Sequence, residues 1–401
     1  MRYDLGRFRR PMRRSTEGQL ASLIGLGDGS TLSLDFTAMS SLDSRFTFSR
    51  STNPTPGASF IGSNGLVQYA GTNVPRFDYD PTTLAPRGLL IEGTSTNLVT
   101  QSEAFTVGVG NWTDTNITRD GTLRTSPDGT ANALRITASA ANATIIRSSA
   151  IGTSTARTFS IWLRRVTGTG NIDYTQNNGT NWNTQPITSS WVRYTFTHTA
   201  NHQVGIRIVT NGDAIELWGA QLEDGSGASS YVFSGASQGQ RAADSCSMTG
   251  TNFSSWFNNT AGTLLVSART STRYVDASGF DFPAVLTLDS ANHIGPCQWN
   301  GVVYGVVRAG GSYRINYATL VSPGNNANYK AAIAYADSDF AAVANGGSIQ
   351  AGSGTTVPSG LNRFALGASR SGVAGNFFGH ISQIKFWPTR LPNATLQSIT
   401  Q

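Results

Sequence analysis

Apolar and polar residues alternate in short runs along most of this chain. Phe159, Ile161 and Leu163 fall on one face of a strand, with Ser160, Trp162 and Arg164 on the other. Val192, Tyr194 and Phe196 oppose Arg193, Thr195 and Thr197 in the same way. Further runs of period two occur at Val204-Ile206-Ile208, Ile215-Leu217, Ala284-Leu286-Leu288 and Tyr313-Ile315-Tyr317. That period marks a strand with one buried face. Nine Asn-Gly or Asp-Gly pairs separate the runs, beginning at Asp28, Asn64, Asp120, Asp128, Asn178, Asn211, Asp224, Asn300 and Asn345. Both residues of such a pair tolerate positive φ, which two-residue hairpins require. The pattern predicts an all-β chain built of two antiparallel β-sandwiches of jelly-roll type. Helical patterning is confined to two places. Thr16 and Gln19 form a capping box for a short helix through Leu20, Leu23 and Ile24. Asn393, behind Pro392, caps a last turn or two through Leu396 and Ile399.

Composition supports the same class. Only 13% of the 401 residues are charged, against about 25% in an average soluble protein. Lysine occurs only at Lys330 and Lys385, while glycine supplies 44 residues, so coiled coils and helical bundles are excluded. No apolar run approaches the ~18 residues of a membrane-spanning helix, and no membrane insertion is expected. The length suggests two or three domains. A Gly/Ser-rich stretch at 225–240 marks the clearest boundary. We divide the chain into an arm with a short helix (1–32), strands and loops (33–98), a first sandwich (99–236) and a second (237–401).

The net charge of +6 is concentrated at one end. Arg2, Arg7, Arg9, Arg10, Arg13 and Arg14 stand against Asp4 alone, leaving the body nearly neutral. A nucleic-acid partner needs a distributed basic face, so none is expected. With Phe8 and Pro11 among them, the arginines read as an anchor that docks on another protein. Cys246 and Cys297 read as free thiols of a chain made in a reducing cytosol.

Longer segments carry a resemblance. They are "VPRFDYDPTTLAPRGLLIEGTSTNLVTQSEAF" at 74–105, "LWGAQLEDGSGASSYV" at 217–232, "QRAADSCSMTGTNFSSWFNNTAGTL" at 240–264 and "LNRFALGASRSGVAGNFFGHISQIKFWPTRLPNATLQSIT" at 361–400. Together they resemble tail-fibre and receptor-binding proteins of tailed bacteriophages. The resemblance implies a carbohydrate-binding-module-like sandwich over 99–236 and a concanavalin- or laminin-G-like sandwich over 237–401. With the strand-like runs at 31–36 and 45–49, it suggests that 33–98 packs on the second sandwich. It further implies a virion protein, assembled in the host cytoplasm and commonly three-fold. Other virion proteins would be its partners through the arm, and host surface polysaccharide its ligand. A head fibre or decoration protein of purely structural role, or a depolymerase, are the alternatives.

The search for chemistry gives an expectation of no enzymatic activity. Glycoside hydrolysis needs two carboxylates about 5–9.5 Å apart. Glutamate is absent after Glu223, and Glu216 and Glu223, seven apart, would lie on opposite faces of a regular strand. Asp337 and Asp339 read as a solvated turn. His198 and His202 read as a strand-end pair rather than metal ligands, and His293 and His380 stand isolated. No cofactor is expected; calcium suits such sandwiches, but no spacing locates it. For sugar binding, Trp182 and Tyr174 flank the Asn178-Gly179 turn, with Asn178 and Asn181 as hydrogen-bonding amides. Trp162, opposite the apolar face of its strand, is expected to meet solvent or a neighbouring subunit.

Overall fold

The computed structural model describes residues 27–105, 112–147, 156–199, 203–270, 273, 280–373, 375 and 377–401. The arginine arm, Phe8 and the helix expected after Thr16 lie outside the described residues. The regular structure of the described residues is almost entirely antiparallel strand, in two sandwiches and two small two-stranded sheets.

In the first sandwich one sheet runs in the order Arg124–Thr125, Ala131–Ala138, Ala214–Asp224, Arg157–Thr167, Val192–His198, with Ile117–Arg119 added beside Ala131–Ala138. The facing sheet runs Asn183–Thr184, Ile172–Thr175, Gly205–Ile208, Ala143–Arg147, Trp112–Thr115. The alternation that predicts these strands also fills the space between them. Phe159, Ile161 and Leu163 meet Ile145, Ile206 and Ile208 in one core.

The second sandwich draws on both ends of the described chain. Its larger sheet runs Gln350–Ala351, Asp339–Ala344, Asn328–Ala336, Ala261–Arg269, Phe378–Trp387, Pro86–Glu92, Arg76–Tyr79, and Leu32–Asp35 also pairs with Phe378–Trp387. The other sheet runs Thr47–Ser49, Ser245–Thr249, Arg363–Ala368, Phe282–Asp289, Asn292–Trp299, Val302–Ala309, Ser312–Val321. The chain therefore leaves one sandwich at Glu92, builds the other, and re-enters at Asp244. Asn300-Gly301 closes Asn292–Trp299 onto Val302–Ala309 with φ of 48° and 73°, the doubly positive turn its sequence favours. The terminal helix Asn393–Ile399 forms, but Pro392 occupies the cap position. Asn393 instead accepts from Arg390 Nη2 at 2.6 Å.

Where the chain crosses between sandwiches it buries a cluster of charge. Arg76 Nη1 and Arg241 Nη1 donate to Glu92 Oε2 at 2.7 and 2.6 Å. Arg50 Nη1 and Arg76 Nη2 donate to the two oxygens of Asp244 at 2.9 and 2.7 Å. Ser230 adds its backbone N–H and hydroxyl to Glu92. All of these charged side chains are buried, and they tie segments before the first sandwich to segments after it.

A bulge departs from the alternation. Gly219 has φ of 64°, and the register with the neighbouring strand shifts between Ser160 and Trp162. Ile215 and Leu217 face the core before the shift, Ala220 and Leu222 after it. Glu216 and Glu223 therefore share the outer face, which corrects the expectation from their odd spacing. Seven residues of strand still hold them about 20 Å apart. Trp162 also differs from expectation. It is 7% exposed, packed edge-on against Trp218 and Tyr231 at 5.1 and 5.5 Å between centroids. Its own chain covers it, so it gives no support to a three-fold contact.

Candidate functional site

A cleft of about 840 Å³ opens between the outer face of the Arg157–Thr167 sheet and the larger sheet of the second sandwich. Its size falls within the 300–1,000 Å³ of ligand sites. On the first sandwich, strands Arg157–Thr167 and Val192–His198 put Arg164, Arg193, Thr195 and Thr197 on the cleft side, because their alternate residues fill the core. Trp191, half-buried, leads into the second of these strands, and its indole N–H donates to the Thr125 carbonyl at 3.2 Å. Opposite stand Asp78, Arg87, Arg269 and His380. Leu66 and Val192 supply exposed apolar surface between the two walls.

The site is rich in held guanidinium groups. Arg164 lies over the Trp191 ring at 4.8 Å and pairs with Glu216, which Arg135 also reaches at 2.6 Å. Arg193 lies over Trp162 at 4.5 Å and donates to the Ser229 carbonyl and Ser160 hydroxyl at 2.6 and 2.9 Å. No carboxylate lies within 4.0 Å of it among the described residues. Burial pushes its pKa down to about 10, so it stays charged at neutral pH. Across the cleft, His380 Nε2 meets Asp78 Oδ2 at 2.7 Å, while Asp78 Oδ1 accepts the Ile61 N–H at 2.6 Å. Arg87 pairs with Asp80 at 2.8 Å. Arg269 donates to the Asn326 carbonyl at 2.9 Å, and burial, then Arg87, push its pKa down. An aromatic ring flanked by oriented cations can stack on a sugar and bond its hydroxyl or carboxylate oxygens.

The residues singled out from sequence lie elsewhere. Trp182 sits on the outer face of the other sheet of the first sandwich, under the Arg207 guanidinium at 4.6 Å. Arg207 is held by Asp173 at 2.5 Å. Asn178 and Asn181 are exposed at the adjoining turn, where Asn178 has φ of 56°. Tyr174 points the opposite way. It stacks on Phe196 at 3.5 Å between centroids and joins the core, so it cannot share a ligand with Trp182. His198 ends its strand, and His202 lies outside the described residues. Asp339 pairs with Arg390 at 2.8 Å, and Asp337 accepts the Val357 N–H at 3.2 Å. Sequence reasoning missed the pairing of His380 with Asp78, and the placing of Arg87 and Arg269 on the same cleft as Trp191. No local signal marks them, because the cleft is made by docking one sandwich on the other.

No family model and no curated protein matches the sequence. Solved structures do. A CBM40 domain of a Ruminococcus gnavus IT-sialidase, bound to α2,6-sialyllactose, is 14% identical with a TM-score of 0.30, over 36% of this chain and 85% of its own. The NanB sialidase of Streptococcus pneumoniae is 12% identical with a TM-score of 0.31, over 38% and 26%. A Trypanosoma rangeli sialidase mutant displaying trans-sialidase activity is 17% identical with a TM-score of 0.30, over 38% and 25%. The chain thus spans about a quarter of the length of these sialidases. The neighbours are carbohydrate-binding and sialidase-type β-sandwich domains, and the likeness is one of fold. The expectation of no enzymatic activity is corrected here. Sialidases stand among the solved structures this chain is similar to, while Glu216 and Glu223, about 20 Å apart, are too distant to act as one catalytic pair.

Proposed function

We propose that this chain is a structural protein of a tailed-phage virion that holds host surface glycan in the cleft between its sandwiches. The observation that carries the reading is the half-exposed Trp191 ring beneath the Arg164 guanidinium, in a cleft large enough for several sugar units. The arginine arm, ahead of the described residues, would fix the chain to a neighbouring virion protein through bidentate pairs with carboxylates. The segments resembling phage tail-fibre proteins support the setting.

The test is a glycan array probed with the full chain and with Trp191→Ala, alongside adsorption of particles to host cells. Losing one stacking ring costs about 1–3 kcal/mol, by analogy with base–aromatic stacking, or roughly 5- to 150-fold in Kd. Retention of no glycan by the full chain, or undiminished binding by Trp191→Ala, would refute the site. Normal particle incorporation after deletion of residues 1–14 would refute the anchor.

A further inference from the structure

The other sheet of the second sandwich turns an aromatic surface outward, on the side away from the cleft. Phe280 lies at its centre. It stacks on Tyr317 at 4.1 Å and meets Tyr304 and Trp299 edge-on at 5.1 and 6.4 Å. Tyr313 extends the row beyond Tyr317 at 5.6 Å. Trp299 is 40% exposed, and the other rings are half-buried.

Regular alternation does not produce this surface. Tyr313, Ile315 and Tyr317 would share one face of a plain strand. The register of Ser312–Val321 slips on both sides of Ile315, and Tyr317 takes φ of 43°. Ile315 therefore enters the core while both tyrosines turn out. A left-handed conformation at an aromatic residue costs about 1–2 kcal/mol, and the tyrosines it turns out pack over the buried Val285, Cys297 and Val306 while keeping part of each ring exposed.

Cations border the rings. Arg308 lies over Tyr313 at 4.8 Å, oriented by bonds to the Gly311 and Ser290 carbonyls at 3.0 and 2.9 Å. Arg370 is exposed nearby. Among the described residues no carboxylate lies within 4.0 Å of either guanidinium. Rings on three neighbouring strands, about 4.8 Å apart, spread over roughly 10–15 Å. That is small beside the ~800 Å² each partner buries in a standard protein interface. It suits a chain-like ligand one sugar wide. The geometry points to a second glycan site here, for a carboxylated polysaccharide whose sugar faces stack on Trp299 and Tyr304. Its carboxylates pair with Arg308 and Arg370. The site is separate from the cleft, and either can fail alone.

The test is titration of the full chain with polygalacturonate, alginate and hyaluronan, and with dextran as the neutral control. Wild type, Trp299→Ala, Arg370→Ala and Trp191→Ala are compared, with melting temperature and light scattering on each. The expected result is binding of a carboxylated glycan that weakens at least tenfold in Trp299→Ala and in Arg370→Ala, with unchanged melting, and persists in Trp191→Ala. Three results would overturn the inference. One is no affinity of wild type for any acidic glycan, and another is loss of binding only in Trp191→Ala, which would place the ligand in the cleft. The third is a fall in molecular mass in Trp299→Ala, which would make the face a contact between copies of the chain.

Discussion

Glu92→Gln tests how the two sandwiches are held together, and with them the cleft. The carboxylate accepts four hydrogen bonds, from Arg76 Nη1, Arg241 Nη1, and the Ser230 N–H and hydroxyl, at 2.6–2.7 Å. Burial alone would push its pKa up, but Arg241 and Arg76 more than reverse this and hold the carboxyl well below the usual range. The amide keeps the shape and removes the charge; with its oxygen on the two guanidiniums, its NH2 group is set against the Ser230 N–H. Arg76 and Arg241 remain buried, with Asp244 the nearest acid still in the cluster. Breaking one partner of a buried ion pair costs about 3–5 kcal/mol, because the remaining charge stays out of water. Urea unfolding at pH 7 should show a loss of that size. Arg241→Met supplies the control: if the pair is the unit, the double variant should lose at least about 2 kcal/mol less than the two single losses added together. A loss below about 1 kcal/mol, or simple additivity, would refute the view that this cluster locks the crossing.

Two further predictions use groups outside the cleft. Burial raises the Glu103 carboxyl from 4.5 to about 7, against the pull of its bond from Tyr231 and with some help from Asp128. The folded state then holds the proton more tightly than the unfolded chain, so stability should fall as pH rises from about 4.5 to 7 and level off above. Discounted for solvent screening, the change is about 1–3 kcal/mol, and Glu103→Gln should abolish it in urea melts compared at pH 5 and pH 8. A wild-type dependence matching that of the variant would refute the assignment. Tyr174→Ala should lower stability by about 3 kcal/mol through loss of its stack on Phe196, while Trp182→Ala should cost under about 1 kcal/mol. Equal thermal shifts in the two variants would contradict their placement on opposite faces.

The strands were legible because one face of nearly every one is buried, and burial of one face writes a period of two into the sequence. Turns were legible where Asn-Gly pairs close hairpins, as at Asn300-Gly301. What alternation cannot carry is the place where it is interrupted. At Gly219 one extra residue reverses which positions face outward, bringing Glu216 and Glu223 to one side and leaving Trp162 beneath Tyr231. A side chain at 219 would come within 2.9 Å of the Trp162 ring, so the bulge and the packing of that ring require the same glycine. Around Ile315 two slips of register turn out tyrosines that period two would assign to a single face with the isoleucine. Both interruptions border a surface on which a ligand site is proposed, and the physical reason is shared. A regular sheet offers water the side chains its core does not want, whereas a bulge chooses which side chain is offered and at what angle. The cleft was hidden for a different reason. Asp78 and His380 lie 302 residues apart, and the Arg157–Thr167 wall is built between them in the chain. Each wall reads from sequence as an ordinary outer face of a sheet. The buried charges at Glu92 and Asp244, the Arg273–Glu223 pair and an apolar cluster of Val67 with Trp162, Trp218 and Tyr231 bring the two faces together, and in sequence these are scattered single residues with no periodic pattern to mark them.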